Sequence, residues 1–130
     1  FMQGLADFAT YFGMGLGFMV VYVLLYVYAT PHREITLIRG DNLPAAVVLA
    51  GALLGFAVPL ASALRIASGL LDVAAWAFMA LVAQLVAYAL VAVLLKDFSK
   101  RINRGEMAAA VLAAAIHLGV GLINSAAMSF

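Results

Sequence analysis

A chain of 130 residues that is 68% hydrophobic and only 10% charged departs far from the roughly 45–50% apolar and ~25% charged usage of soluble domains, whose folds have no way to hide that much apolar surface. Its length allows about four crossings of a ~30 Å hydrocarbon core with short connections, because about 20 apolar residues span that core as a helix. A formal net charge of +1 is no nucleic-acid footprint, and the absence of cysteine excludes disulfides and thiolate metal sites.

The first segment is read from about Leu5 to Tyr28, with Asp7 near its start and no further charge before Arg33. It is too long for a signal h-region and lacks a basic n-region, so it is expected to stay as a helix. Phe1 is not an initiator methionine, and the chain is expected to lack a residue or more at its start. Gly13, Gly15 and Gly17 imitate a nucleotide loop, but such a loop follows a strand and opens a helix in water. Inside an apolar span the expectation is instead close helix contact through Gly13 and Gly17. Tyr11, Gly15, Phe18, Tyr22 and Tyr26 share one helical face. Tyr22, at mid-depth, needs a hydrogen-bond partner, whereas Tyr26 and Tyr28 suit the membrane interface. The polar connector TPHREITLIRGDN follows. Its Pro31 is expected to end or cap the helix, and Ile35, Leu37 and Ile38 to rest at the membrane surface. His32, beside only Arg33 and Glu34, has too few ligands for a metal.

The second segment, between Arg39 and Arg65, carries no charge from Leu43 to Leu64. Gly51 and Gly55 form a GxxxG pair on a face that continues through Val58 to Ser62, so a neighbouring backbone can come close there. Pro59 is expected to break this helix. After a short turn, a third segment from about Val73 to Leu95 starts with Trp76 and carries Gln84 and Tyr88 one turn apart. The connector KDFSKRINRGE leads into a fourth, from about Met107 to Met128, whose Ala110, Ala114, His117, Gly121, Asn124 and Met128 share one face.

Basic residues bias short loops toward the cytoplasm. The two long connectors hold Arg33, Arg39, Lys96, Lys100, Arg101 and Arg104, against Arg65 alone on the other side. Both connectors are therefore expected inside, with both termini outside. Shifting the sequence by 65 positions lays Asp7 on Asp72, Tyr11 on Trp76, and Arg39-Gly40-Asp41 on Arg104-Gly105-Glu106, while Leu54-Gly55 matches Leu118-Gly119 at 64. The expected architecture is an all-α membrane protein of four transmembrane helices, built as two hairpins, 1–65 and 66–130. Hairpins that start on the same side are parallel repeats about an axis along the membrane normal.

Intramembrane ionisable groups are costly and point to function by default. His117 among small residues therefore suggests a proton-linked or gating role. The alternative is an uncharged imidazole bonded across the bundle to Gln84, Tyr88 or Ser62. Asn124 and Ser125, with Ser62 and the break at Pro59, either line a polar outer vestibule or bond between helices and cap groups freed by the proline. At the two matched entrances, Asp41 or Glu106, beside Arg39 and Arg104, is expected to cap the next helix. The competing idea is a charged ring at a pore mouth. No set of nucleophile, base and orienting group converges, so neither an enzyme nor a cofactor is expected.

The GDN-x-x-AA entrance, the TPH before the connector, the LxGxLLG-x-x-xPL run and the terminal NSAAMSF resemble domain-of-unknown-function family 350 over nearly the whole chain. That resemblance implies a small four-helix protein of the bacterial cytoplasmic membrane, and it brings no activity or catalytic residue. Two functions stay open: a self-associating structural or accessory subunit, partnered by the bilayer and by itself or another membrane protein, and a small oligomeric ion or proton channel lined by His117, Asn124, Gln84 and Ser62.

Overall fold

The computed structural model describes residues 1–30 and 34–128. The expectations for Pro31, His32, Arg33 and the last two residues of NSAAMSF lie outside the described residues. The order is α1 Met2–Ala29, α2 Glu34–Arg39, α3 Leu43–Ile66, α4 Leu70–Leu94, α5 Phe98–Asn103 and α6 Met107–Ala127, with no strand among the described residues. Helices α1, α3, α4 and α6 are each long and apolar enough to cross a membrane. The spans match the hydropathy reading, although α4 begins at Leu70 instead of Val73 because Asp72 Oδ2 accepts from Ser68 N (3.1 Å) and draws the turn into the helix.

The connectors differ from expectation: each contains a six-residue helix, α2 or α5. Both end in the same pair of bonds. Asp41 N donates to Ile38 O (3.0 Å) and Asn42 N to Leu37 O (2.9 Å), just as Gly105 N donates to Ile102 O (2.9 Å) and Glu106 N to Arg101 O (3.0 Å). This two-bond closure needs one left-handed residue past the helix end. Gly105 supplies it at φ 79°, and in the first connector Asp41 does so at φ 65°. An aspartate side chain tolerates that region better than most, though glycine adopts it without steric cost.

Pro59 does not break its helix. α3 is continuous from Leu43 to Ile66 with Pro59 buried inside it. A proline removes the N–H that would bond the carbonyl four residues back, here that of Gly55, and another helix supplies the missing donor, as described below.

α3 is the most enclosed helix, covered by α1, α4 and α6, and its contact with α6 is the most extensive in the molecule. The core is mostly small: Ala45, Ala52 and Ala63 of α3, Ala77, Ala80 and Ala87 of α4, and Ala110 and Ala113 of α6 are buried around Val48 and Phe56. Lipid tails are as apolar as leucine, so helices in a bilayer associate through close van der Waals packing, which small residues permit. The outer surface is leucine, valine and isoleucine, with Leu71, Val93 and Ile123 each more than 70% exposed. Hydrocarbon, not water, is the solvent that such a surface fits.

Candidate functional site

Among the described residues, the polar side chains buried along the middle of the bundle meet at Gln84. α4 aims its amide at the crossing of α3 and α6, where Gln84 is 2% and His117 1% exposed. One end of the amide lies 3.0 Å from Gly55 O and 3.2 Å from His117 O. Two carbonyls can only face the NH2 group, which fixes the amide orientation from its network. The other end, Oε1, therefore accepts. It lies 2.9 Å from His117 Nδ1, so that nitrogen carries the hydrogen, and it also accepts from the Tyr22 hydroxyl at 3.4 Å. Both donors and both acceptor positions of the amide are used.

The Gly55 carbonyl in this cluster is the one that Pro59 deprives of its helical donor. Gln84 thus repairs the backbone of α3 from α4, which is how a proline is accommodated inside a transmembrane helix. Aromatic rings close the rest: Tyr22 stacks on Phe56 with centroids 4.7 Å apart, and Tyr26 meets His117 edge-on at 5.7 Å.

Glycine makes the crossing possible. A Cβ on Gly51 would lie 2.5 Å from Ala114 Cα, one on Gly55 2.7 Å from the His117 carbonyl carbon, and one on Gly121 2.7 Å from Gly55 Cα. These are backbone atoms, which cannot swing aside. The expectation for Gly13 and Gly17 is different in outcome: a Cβ on either meets nothing within 4 Å, and α1 approaches its neighbour at Gly15, beside Leu64. The tyrosine-bearing face, not the glycine pair, turns inward on α1, because ring stacking on Phe56 and the bond to Gln84 hold it there.

The four residues considered as one polar path fall into separate groups. Gln84 and His117 belong to the central cluster. Ser62 pairs with Ser125 and accepts from Arg65 Nη2 at 3.0 Å. That group lies about two helical turns, ~10 Å, along α3 from Gly55. Asn124 is half-buried, and its amide nitrogen has no hydrogen-bond partner. His117 bonds neither Tyr88, whose hydroxyl donates to Ala29 O (3.2 Å), nor Ser62.

At the two entrances the capping assignment is corrected. Asn42, not Asp41, caps α3: its Oδ1 accepts from Ala45 N at 2.9 Å, one residue before Leu43-Pro44. Asparagine ahead of a first-turn proline is the ordinary signal for a helix start, and it was present in the sequence. The same side chain reaches across the molecule, where Nδ2 donates to Ile102 O at 3.1 Å. Glu106 occupies the N-cap position of α6 without a side-chain cap bond. Its carboxylate instead receives Arg101 Nε (3.0 Å) and Arg104 Nη2 (2.6 Å). The hydrogen bonds from Arg104 and then Arg101 hold it below the usual glutamate range. Arg39 lies exposed at the end of α2. Among the described residues no three histidine, aspartate or glutamate side chains group as metal ligands.

The comparisons with known proteins agree on one assignment. The family model for the Domain of Unknown Function DUF350 matches residues 1–128. The inner membrane protein YjfL of Escherichia coli K12 is 33% identical over 129 residues, covering 99% of this chain and 98% of the relative, and YjfL of Escherichia coli O157:H7 matches equally. No solved structure matches the chain. Four apolar helices, a family model that matches residues 1–128 and a 33% identical relative covered over essentially its full length lead to one conclusion: the chain belongs to the DUF350 family.

Proposed function

We propose that this chain is a multi-pass protein of the bacterial inner membrane, the location that YjfL carries in its name, and that it serves as a self-associating structural or accessory subunit. The observation that carries this reading is the saturation of the Gln84 amide at the centre of the bundle. Every hydrogen-bonding position of the Gln84 amide is spent on Gly55, His117 and Tyr22 of the same chain, which leaves no polar group of that amide facing a conduit. Such side chains act as interhelical glue. The open Gly13 and Gly17 face of α1 is available for a second copy or another membrane protein. The basic connectors support a cytoplasmic position for α2 and α5.

The competing reading, a small oligomeric ion or proton channel lined by His117, Asn124, Gln84 and Ser62, draws on the unpartnered amide nitrogen of Asn124. Flux through purified protein in liposomes, measured over roughly pH 5 to 8 to bracket a histidine titration, separates the two. The subunit reading expects no flux and a crosslinked multimer that Gly13→Leu and Gly17→Leu weaken. Flux lost in His117→Ala or Asn124→Ala would overturn it.

A further inference from the structure

A recess of about 240 Å³ lies between α1 and α4, whose backbones stay apart and which are bridged by the Tyr22–Gln84 and Tyr88–Ala29 hydrogen bonds. Its floor is buried Tyr22, Tyr26 and Gln84, and its mouth is Leu25, Tyr28 and Leu85, each more than half exposed to the surrounding hydrocarbon. The floor contains polar residues, yet the Gln84 amide has already spent its donors and acceptors inside the protein. What this floor presents is ring face and aliphatic carbon, a surface suited to an apolar chain and unsuited to a polar solute.

Tyr88 belongs to this recess and also to a second one of about 480 Å³ at the end of α4, where the walls turn polar with Asp97, Lys100 and Asn103. Asp97 and Lys100 are exposed, and among the described residues neither takes part in an ion pair. Asp97 comes shortly after Leu94, the last residue of the α4 span, and Lys100 lies in α5, at the depth where lipid headgroups lie. From α4 into α5 the order is therefore apolar recess, tyrosine, then the wall of the second recess, which carries one acidic and one basic side chain.

We propose that this groove is a binding site for a single phospholipid with a zwitterionic, amine-bearing headgroup. One acyl chain fills the recess between α1 and α4, the phosphate lies against Lys100 and the ammonium against Asp97. An anionic lipid would match Lys100 but place its charge beside Asp97. The site does not depend on self-association and exists within one protomer.

The test uses phosphatidylethanolamine carrying a diazirine in its acyl chain, added to the full chain in detergent that has been stripped of lipid. Labelling is expected on the peptides containing Tyr22–Tyr28 and Leu81–Tyr88, and an excess of unlabelled phosphatidylethanolamine should displace it about tenfold more effectively than phosphatidylglycerol, a preference of ~1.4 kcal/mol. Leu81→Trp, which fills the recess, should lower labelling by a similar factor. Labelling spread evenly over exposed faces such as Val111 and Ile123 would overturn the site. Equal displacement by phosphatidylglycerol would overturn the headgroup assignment, and neither result depends on whether Leu81→Trp folds.

Discussion

The α3–α6 seam and the α1 interface solve the same packing problem in opposite ways. At the seam, backbone lies on backbone because Gly51, Gly55 and Gly121 have no side chain to hold the helices apart. At α1 the contact is made by side chains: the Tyr22 ring on Phe56, its hydroxyl on Gln84, and Leu64 against Gly15. The first kind of contact tolerates no added atom, and the second can be loosened by degrees. Glycine in a membrane helix therefore has meaning only with its partner, since Gly51 and Gly13 look alike in sequence and differ wholly in what surrounds them.

The largest test of this contrast is to add bulk on both sides. Gly55→Leu or Gly121→Leu should destabilise the fold by more than ~3 kcal/mol, beyond ordinary overpacking because the neighbour is backbone. Gly17→Leu should change monomer stability by less than ~0.5 kcal/mol, as a surface substitution does. Thermal unfolding in detergent measures both, and equal losses would erase the distinction.

Next in size is the repair of the proline. Gln84→Leu removes the partner of Gly55 O, His117 Nδ1 and the Tyr22 hydroxyl. At the ~0.6 kcal/mol average for such bonds within a membrane, the expected loss is about 2 kcal/mol. Pro59→Ala in that background returns an N–H to the Gly55 carbonyl and should recover part of the loss, whereas Pro59→Ala alone should not add stability of the same size. A double-mutant cycle without coupling would show that the amide and the proline are unrelated.

At the entrances, Asn42→Ala should cost about 1 kcal/mol as a lost cap, while Asp41→Gly should be neutral or stabilising by up to ~1 kcal/mol, because it relieves a left-handed φ. The smallest effect concerns pH. Glu106 is held below its unfolded value, so its contribution is present above the ordinary glutamate range and is lost as pH falls through the lowered one. Glu106→Gln should flatten that part of the stability profile.

Much of this architecture was legible in the sequence, because hydropathy over 20 residues is a strong signal. The four spans and the Gly51–Gly55 face follow from it. The short helices α2 and α5 escaped because six residues carry too little periodicity to stand out from a connector. Pro59 misled because a local rule about proline says nothing of a donor arriving from α4. The choice of Gly15 over Gly13 and Gly17 depends on how α1 is rotated, and tyrosine contacts decide that. Helix-dipole charge points to Asp41 at this entrance, whereas the adjoining Leu43-Pro44 marks Asn42 as the cap.

The tightest pair in this protein also has a consequence for its synthesis. Chains emerge from the ribosome in order, and α6 follows α3 only after the whole of α4 and α5. Until then the Gly51–Gly55 face lacks its α6 partner, and the Gln84 NH2 group lacks the His117 carbonyl that takes one of its hydrogens. A nascent chain with three spans inserted thus presents a bare small-residue groove to the bilayer. Insertion of α6 is the step that closes it, and a stall before that step leaves the groove open to any other helix in the membrane.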